Sequence, residues 1–152
     1  MSVKWLANVR IFAAWLVGFG LTLVIVLLWH ELVMVFVVNT LHWDRYAVPL
    51  IHILYYCGAG LLWVGFFIAH MEYINRSARE GRLLEASWLT IGPELIFVAL
   101  GQAGLMLYGF FPADALGFLL IACEGAAGAG MLILVRRMRQ EKHSEGGRRI
   151  NG

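Results

Sequence analysis

Long apolar runs alternate with short polar breaks along the chain. The first run extends from about Val9 to Val38, and Asn39 to Arg45 interrupt it. The second runs from about Tyr46 to Tyr73, with Pro49 in its first turn, where a missing N–H is tolerated. Charged residues around a glycine, Asn75 to Glu85 with Gly81, mark a loop. The third run spans about Leu84 to Phe111, Pro112-Ala113-Asp114 forms a tight turn, and the fourth spans about Ala115 to Val135. A helical crossing of a bilayer needs roughly 20 apolar residues, and every run meets that length. The first exceeds it, which predicts a tilted helix or a protruding end over Leu32 to Val38. From Gln140 the sequence is polar and carries Gly146-Gly147, so a disordered tail is expected.

The pattern therefore predicts an all-α membrane protein, a four-transmembrane-helix bundle. It forms one domain over 1–139, with helices at about 9–38, 46–73, 84–111 and 115–135 and a basic tail over 140–152. Composition agrees. Of 152 residues, 61% are hydrophobic and 14% charged, with mean hydropathy +0.74. A soluble domain is nearer half apolar and about a quarter charged.

The distribution of charge says more than the net value of +2. Basic residues lie near the N-terminus (Lys4, Arg10), in the middle loop (Arg76, Arg79, Arg82) and in the tail (Arg136, Arg137, Arg139, Lys142, Arg148, Arg149), whereas the other two breaks hold only Arg45. By the positive-inside rule both termini and the middle loop are cytoplasmic. A multi-pass protein of the cell inner membrane is expected, with the lipid bilayer and either other membrane subunits or copies of itself as partners. The basic tail is a topology signal and not a nucleic-acid patch, since no recognition motif or aromatic interleaving accompanies it. Cys57 and Cys123 lie inside apolar runs and read as structural thiols. No cleavable leader is evident.

Two carboxylates stand out. Glu94 lies about ten residues into the third helix and Glu124 about ten into the fourth. At about 1.5 Å per residue each is about 15 Å deep, near the middle of a roughly 30 Å core. An ionised acid is costly there, and a low-dielectric setting favours the neutral form. A group able to hold or release a proton at that depth suits a proton relay. Ser87, Thr90 and Gly101 share a helical face with Glu94, and Gly117, Ile121 and Gly128 share one with Glu124. Glu94, Glu124, Ser87 and Thr90 are the candidate relay residues. Gly125 to Gly130 form a small-residue stretch suited to close helix approach. The plainer alternative makes both glutamates neutral hydrogen-bonding groups that hold helices together.

The segment Ile91-Gly92-Pro93-Glu94-Leu95-Ile96 resembles the G-x-E-L segment of the K-type small membrane subunit of complex I and related cation-antiporter subunits. Ala122-Cys123-Glu124-Gly125-Ala126-Ala127-Gly128, followed by Arg136-Arg137, is similar to that family's A-x-E-x-x-x-G helix. The resemblance covers about the last seventy residues. It implies that Glu94 and Glu124 belong to a proton path inside a larger complex. The chain departs from the family in Pro93, in the absence of an asparagine after the first glutamate, in a shorter turn between the glutamate helices and in an extra N-terminal helix.

His30 and His52 form a rival constellation. In an antiparallel hairpin they lie at one depth, about 9–12 Å from the outer surface. Paired histidines hold a b-type haem or, with Glu31, a metal; alternatively His30 is simply wet at a helix end. His42, His70 and His143 read as surface residues. No Ser-His-Asp set, phosphate-binding glycine loop or CxxC motif is present. The expected function is thus a small subunit of a proton- or ion-translocating, respiratory-type membrane complex, with no cofactor. The alternatives are a haem b- or quinone-associated membrane anchor of an electron-transfer complex, or a purely structural or assembly subunit.

Overall fold

The computed structural model describes the backbone of residues 3–40 and 47–150, and their side chains except at 3–4, 6–7, 47 and 142–150. Four helices account for nearly all of it: α1 (Val3–Asn39), α2 (Ala47–Arg79), α3 (Leu83–Leu107) and α4 (Ala115–Ile150). No strand occurs among the described residues. The first expected break falls largely at 41–46, outside the described residues, as do His42 and Arg45.

Two helix ends differ from the sequence expectation for one local reason. α2 runs past Tyr73 to Arg79 because nothing before Gly81 breaks it. Gly81 has φ 71°. Its N–H donates to the Ala78 carbonyl at 3.1 Å, and the Arg82 N–H donates to the Ser77 carbonyl at 2.8 Å. This is the Schellman pattern, which needs a left-handed residue that glycine supplies cheaply. Gly109 (φ 76°) ends α3 the same way, with Gly109 donating to Met106 and Phe110 to Leu105, each at 3.0 Å. α3 therefore stops at Leu107, short of Phe111. α4 begins where the sequence indicates. The Asp114 carboxylate accepts the Gly117 N–H at 2.7 Å and caps the first turn. α4 then continues to Ile150, through the segment expected to be a disordered tail. Arg136 to Lys142 are good helix formers, and no proline intervenes.

Each helix contains a stretch long and apolar enough to cross a membrane: Asn8–Asn39, Val48–Arg79, Leu83–Leu107 and Ala115–Glu141. The chain is a multi-pass membrane protein. Its outward surface is made of large apolar side chains, with Leu61, Leu62 and Leu107 each more than three-quarters exposed. Lipid tails solvate such a surface where water would drive association.

α3 is the hub. It packs against all three other helices, whereas among the described residues α4 packs on α3 and on neither α1 nor α2. At one end, Ala14, Ile74 and Ala86 bring together the early part of α1, the end of α2 and the start of α3. Arg139 on α4 meets Glu85 at the same end, Nε to Oε1 2.6 Å. Arg10, Arg76, Arg79 and Arg82 lie on these same stretches, so the basic residues gather at one end of the bundle. α3 and α4 approach through glycine. A Cβ on Gly128 would lie 2.5 Å from the Gly92 carbonyl oxygen, and one on Gly92 would lie 3.0 Å from that of Gly128. Pro93 sits inside α3 without ending it.

Candidate functional site

Several polar groups of α2 and α3 meet one ridge of α1. Positions 18, 22, 26 and 30 are four apart, an i, i+4 row that winds slowly around a helix. At about 1.5 Å per residue the row covers about 18 Å of a hydrocarbon core of roughly 30 Å. A polar group from a neighbouring helix meets four of its turns.

Nearest the basic end, the His70 ring of α2 lies under Gly18. A Cβ on Gly18 would lie 2.6 Å from His70 Nε2, so a larger residue there would force the imidazole to shift. His70 is 4% exposed, and neither ring nitrogen has a hydrogen-bond partner among the described residues. The expectation of a surface histidine is therefore corrected. The basic loop begins later than the hydropathy break suggests, and His70 remains inside α2, facing α1.

One turn on, Thr22 meets Glu94 of α3. Thr22 Oγ1 lies 2.6 Å from the Gly18 carbonyl oxygen and 3.1 Å from Glu94 Oε1. A hydroxyl has one hydrogen and cannot donate to both acceptors at once. If it goes to the closer carbonyl, a proton on Glu94 completes the second bond, with the carboxylic acid donating to Thr22. Glu94 is 4% exposed, and its Oε2 has no partner. Glu94 also lines a cleft of about 360 Å³ with Thr22, Ile25, Phe66, Leu89, Thr90, Pro93 and Phe97.

At the next turns the Tyr55 hydroxyl donates to the Val26 carbonyl at 2.8 Å, and His30 meets His52. His30 Nε2 and His52 Nδ1 are 2.8 Å apart, and His30 Nδ1 is 3.2 Å from Glu31 Oε1. Which nitrogen donates in each contact depends on the tautomers, and each ring joins the chain His52–His30–Glu31 through one or both nitrogens. The Tyr56 ring stacks on His30, with centroids 4.6 Å apart and planes at 24°. Tyr55 meets His30 edge-on at 5.1 Å. His30 is 3% exposed, so it is not a wet residue at a helix end.

Glu124 lies elsewhere. It meets Gln102 of α3, whose Nε2 donates to Glu124 Oε1 at 3.4 Å. Gln102 Oε1 and Glu124 Oε2 have no partners. A proton on Glu124 would let the carboxylic acid donate as well as accept toward the amide, as the plainer reading of this residue required. Glu94 and Gln102 are eight residues apart on α3, a rotation of about 80°. Glu94 thus faces α1 while Gln102 faces α4, and the two glutamates do not form a pair.

The other expected relay groups are also placed. Ser87 donates to the Leu83 carbonyl at 2.8 Å, and Thr90 Oγ1 lies 3.2 Å from the Ala86 carbonyl oxygen and 3.1 Å from that of Ser87, with one hydrogen to give to either. Both hydroxyls are engaged by their own helix. Thr90 still lines the cleft beside Glu94, whereas Ser87 faces a separate hollow with Arg10 and Gly81. Thr22, Tyr55, His70 and Gln102 also belong to the polar contacts between helices, and the sequence expectation names none of them as a site residue. The available signal was a polar or titratable residue inside an apolar run, the same signal that picked out the glutamates.

The histidine pair does not fit a haem iron in this arrangement. Two imidazoles on opposite sides of one iron need facing nitrogens about 4 Å apart, from two metal–nitrogen bonds of about 2 Å. Here the facing nitrogens bond to each other. Nor do three or more His, Cys, Asp or Glu side chains converge as a metal site among the described residues.

The chain matches no protein-family model, no curated protein and no solved structure.

Proposed function

We propose that this chain is a small subunit of the cell inner membrane that conducts protons along the α1 ridge, with Glu94 as the central carrier. The carrying observation is the row itself: His70 at Gly18, Glu94 at Thr22, Tyr55 at Val26 and His52 at His30. Successive stations are one helical turn apart, about 6 Å along the axis, a gap that one or two waters bridge. The chemistry suits the task. Imidazole accepts a proton on one nitrogen and releases one from the other. The hydrogen count at Thr22 accommodates Glu94 both with and without its proton. The His52–His30–Glu31 chain links three titratable groups by hydrogen bonds at the far end.

Ionisable residues inside a membrane bundle are costly, and many mark ion and proton routes. In this reading the basic end is cytoplasmic, which the positive-inside rule supports. His70 then takes protons near that face, and the His30–His52 pair opens toward the other. The resemblance to K-type subunits contributes Glu94 to the reading. Glu124 becomes a packing group between α3 and α4. Partner subunits have surfaces available: α2 buries none of its most apolar stretch inside the chain, and Gly58, Gly60 and Gly65 meet nothing within 4 Å.

The test is reconstitution of the purified chain into liposomes carrying an internal pH dye, with a potassium gradient and valinomycin setting the potential. The reading expects proton influx above that of empty liposomes, lost in Glu94→Gln and reduced in His52→Ala. Influx equal to that of empty liposomes would refute it.

A further inference from the structure

α2 and α4 each turn one face away from the rest of the chain, and the contacts of the fold set how these two helices stand. α1 and α3 run together, with Thr22 at Glu94 and Leu32 at Gly104. α2 runs against α1, with His52 at His30 and His70 at Gly18. α4 runs against α3, with Gly125 beside Ala99 and Gly128 beside Gly92. α2 and α4 therefore run in the same direction. Their relative height follows from the same contacts. Ala86 lies thirteen residues before Ala99, so it is level with position 138 of α4, thirteen residues after Gly125. The pairing of Glu85 with Arg139 agrees. Ala86 packs with Ile74 of α2. Position 74 of α2 is thus level with about position 138 of α4.

The outward faces carry matching patterns. On α2, positions 54, 58, 61, 65, 68, 72 and 75 alternate steps of four and three, the heptad spacing of a helix seam. Gly65, Ile68 and Glu72 lie about 140–160° around α2 from buried His70. On α4, positions 119, 123, 126, 130, 133, 137 and 140 have the same spacing. Ala126, Gly130, Ile133 and Arg137 lie about 140–180° around α4 from buried Gly128. Each α4 position is numbered 65 above an α2 position, which is within about one residue, or about 1.5 Å, of the height the fold gives. In a parallel pairing, like heptad positions face each other. Leu61, 78% exposed, then faces Ala126, Gly65 faces Gly130, Glu72 faces Arg137 and Asn75 faces Gln140. A large side chain meets a small one, two glycines let the backbones close, an acid meets a base and an amide meets an amide. Gly65 and Gly130 meet nothing within 4 Å in their own chain. Glu72 and Arg137 are exposed, and neither has an ion pair among the described residues. α2 and α4 of one chain do not pack together among the described residues, so the match is satisfied between copies. We propose that the chain self-associates by laying the outer face of α2 against the outer face of α4 of a second copy, with Glu72 of one bonded to Arg137 of the other. The contact is head-to-tail, so copies close into a ring where the rotation allows. It rests on the helix heights and the two faces, and it holds whether or not the chain conducts protons.

The test is disulfide trapping of the full chain in lipid vesicles, in a Cys57→Ser, Cys123→Ser background. Mild oxidation of a chain carrying both Leu61→Cys and Ala126→Cys should give a ladder of dimers and larger species on non-reducing gels. A mixture of the two single-cysteine chains should stop at dimers. Either single-cysteine chain alone should stay monomeric, because neither position faces its own copy. Association is then measured by energy transfer between N-terminally labelled chains as lipid dilutes them. Glu72→Arg should weaken it at least about tenfold, the scale of one charge-assisted hydrogen bond, and adding Arg137→Glu should restore it. Gly65→Leu should weaken it as well and leave the chain's own fold intact, since that position meets nothing within the chain. Trapping of one single-cysteine chain as efficient as that of the pair would mean that like helices meet. Absence of both trapping and energy transfer would mean that lipid or another subunit covers these faces. A charge swap that fails to restore association would mean a different register. Each of these overturns the inference. Proton influx is measured separately, so a failure of conduction and a failure of association are distinguishable.

Discussion

Two membrane glutamates on adjacent helices end up in different chemistry, Glu124 level with Gln102 and so about 12 Å along α3 from Glu94. Glu94 faces α1, shares a threonine with a backbone carbonyl and lines an open cleft. Glu124 faces α3 and meets an amide, in an interface that glycines close. The first setting gives a proton somewhere to go: a hydroxyl, a hollow and histidines on the same ridge. The second offers an amide that neither takes up nor releases a proton at ordinary pH. Depth in the membrane makes a carboxyl a candidate carrier. The neighbouring helix decides whether it becomes one.

Several substitutions would break or sharpen this contrast. The largest structural effect is expected from Gly128→Leu. Even a Cβ there meets the Gly92 carbonyl oxygen at 2.5 Å and Ile96 at 2.9 Å. A backbone atom cannot move aside as a side-chain tip can, so a loss of about 3 kcal/mol is expected, the upper end for overpacking. Size-exclusion profiles and thermal unfolding in detergent should show α4 loosening from α3. Ile133→Leu, at a position 54% exposed, should behave as wild type. If the two variants unfold alike, the glycine contact does not hold the helices together.

Next is Thr22→Val, which keeps the shape and removes the hydroxyl beside Glu94. Proton influx should fall by about tenfold, the worth of one hydrogen bond to a buried group. Unchanged influx would remove Thr22 from the path.

Smaller again is Gln102→Leu, which strips Glu124 of its partner. It should cost about 1 kcal/mol of stability and leave influx unchanged. Adding Glu124→Leu should restore most of that stability, because replacing both members of a buried pair by apolar groups is nearly neutral. A fall in influx with Gln102→Leu would return Glu124 to the path.

The smallest effect lies outside the membrane. Hydrogen bonding to Arg82, aided by Arg76, holds the Glu80 carboxyl below its ordinary value of 4.5. A lowered folded-state value means stability that is present above the unfolded-state pKa and lost as pH falls through the folded one. Glu80 is exposed to solvent, so the effect should be slight and screened by salt. Glu80→Gln should match wild type in thermal unfolding at high salt and at acid pH, and differ only marginally at neutral pH in low salt.

The parts of this protein that are legible in its sequence are those set by one helix at a time. Four apolar runs specify four helices and Asp114 marks the start of α4. Residue counts put Glu94 and Glu124 at one depth, but Glu124 meets Gln102, about 12 Å along α3 from Glu94. Sequence reasoning also brings His30 and His52 to a common level, because one short break joins their helices. What it misses depends on azimuth between helices. Whether Glu94 meets Glu124 or Thr22 follows from how α3 sits between α1 and α4, and that follows from the Gly92–Gly128 contact. A count from Glu94 to Gln102 leaves about 80° of rotation, enough to send two polar residues of one helix to different neighbours. His70 was misjudged for a related reason. The charged residues after it suggested a loop, but a helix ends where a left-handed residue stops it, and here that is Gly81.

The central claim is that the α1 side of α3 carries protons and the α4 side does not. The direct measurement compares Glu94→Gln and Glu124→Gln, each purified and reconstituted at equal density, in the same dye-loaded liposomes under the same imposed potential. The account predicts that Glu94→Gln reduces influx to that of empty liposomes, whereas Glu124→Gln retains at least about half of the wild-type rate, as expected where no transition-state interaction is lost. Loss of influx in Glu124→Gln with retention in Glu94→Gln would contradict it.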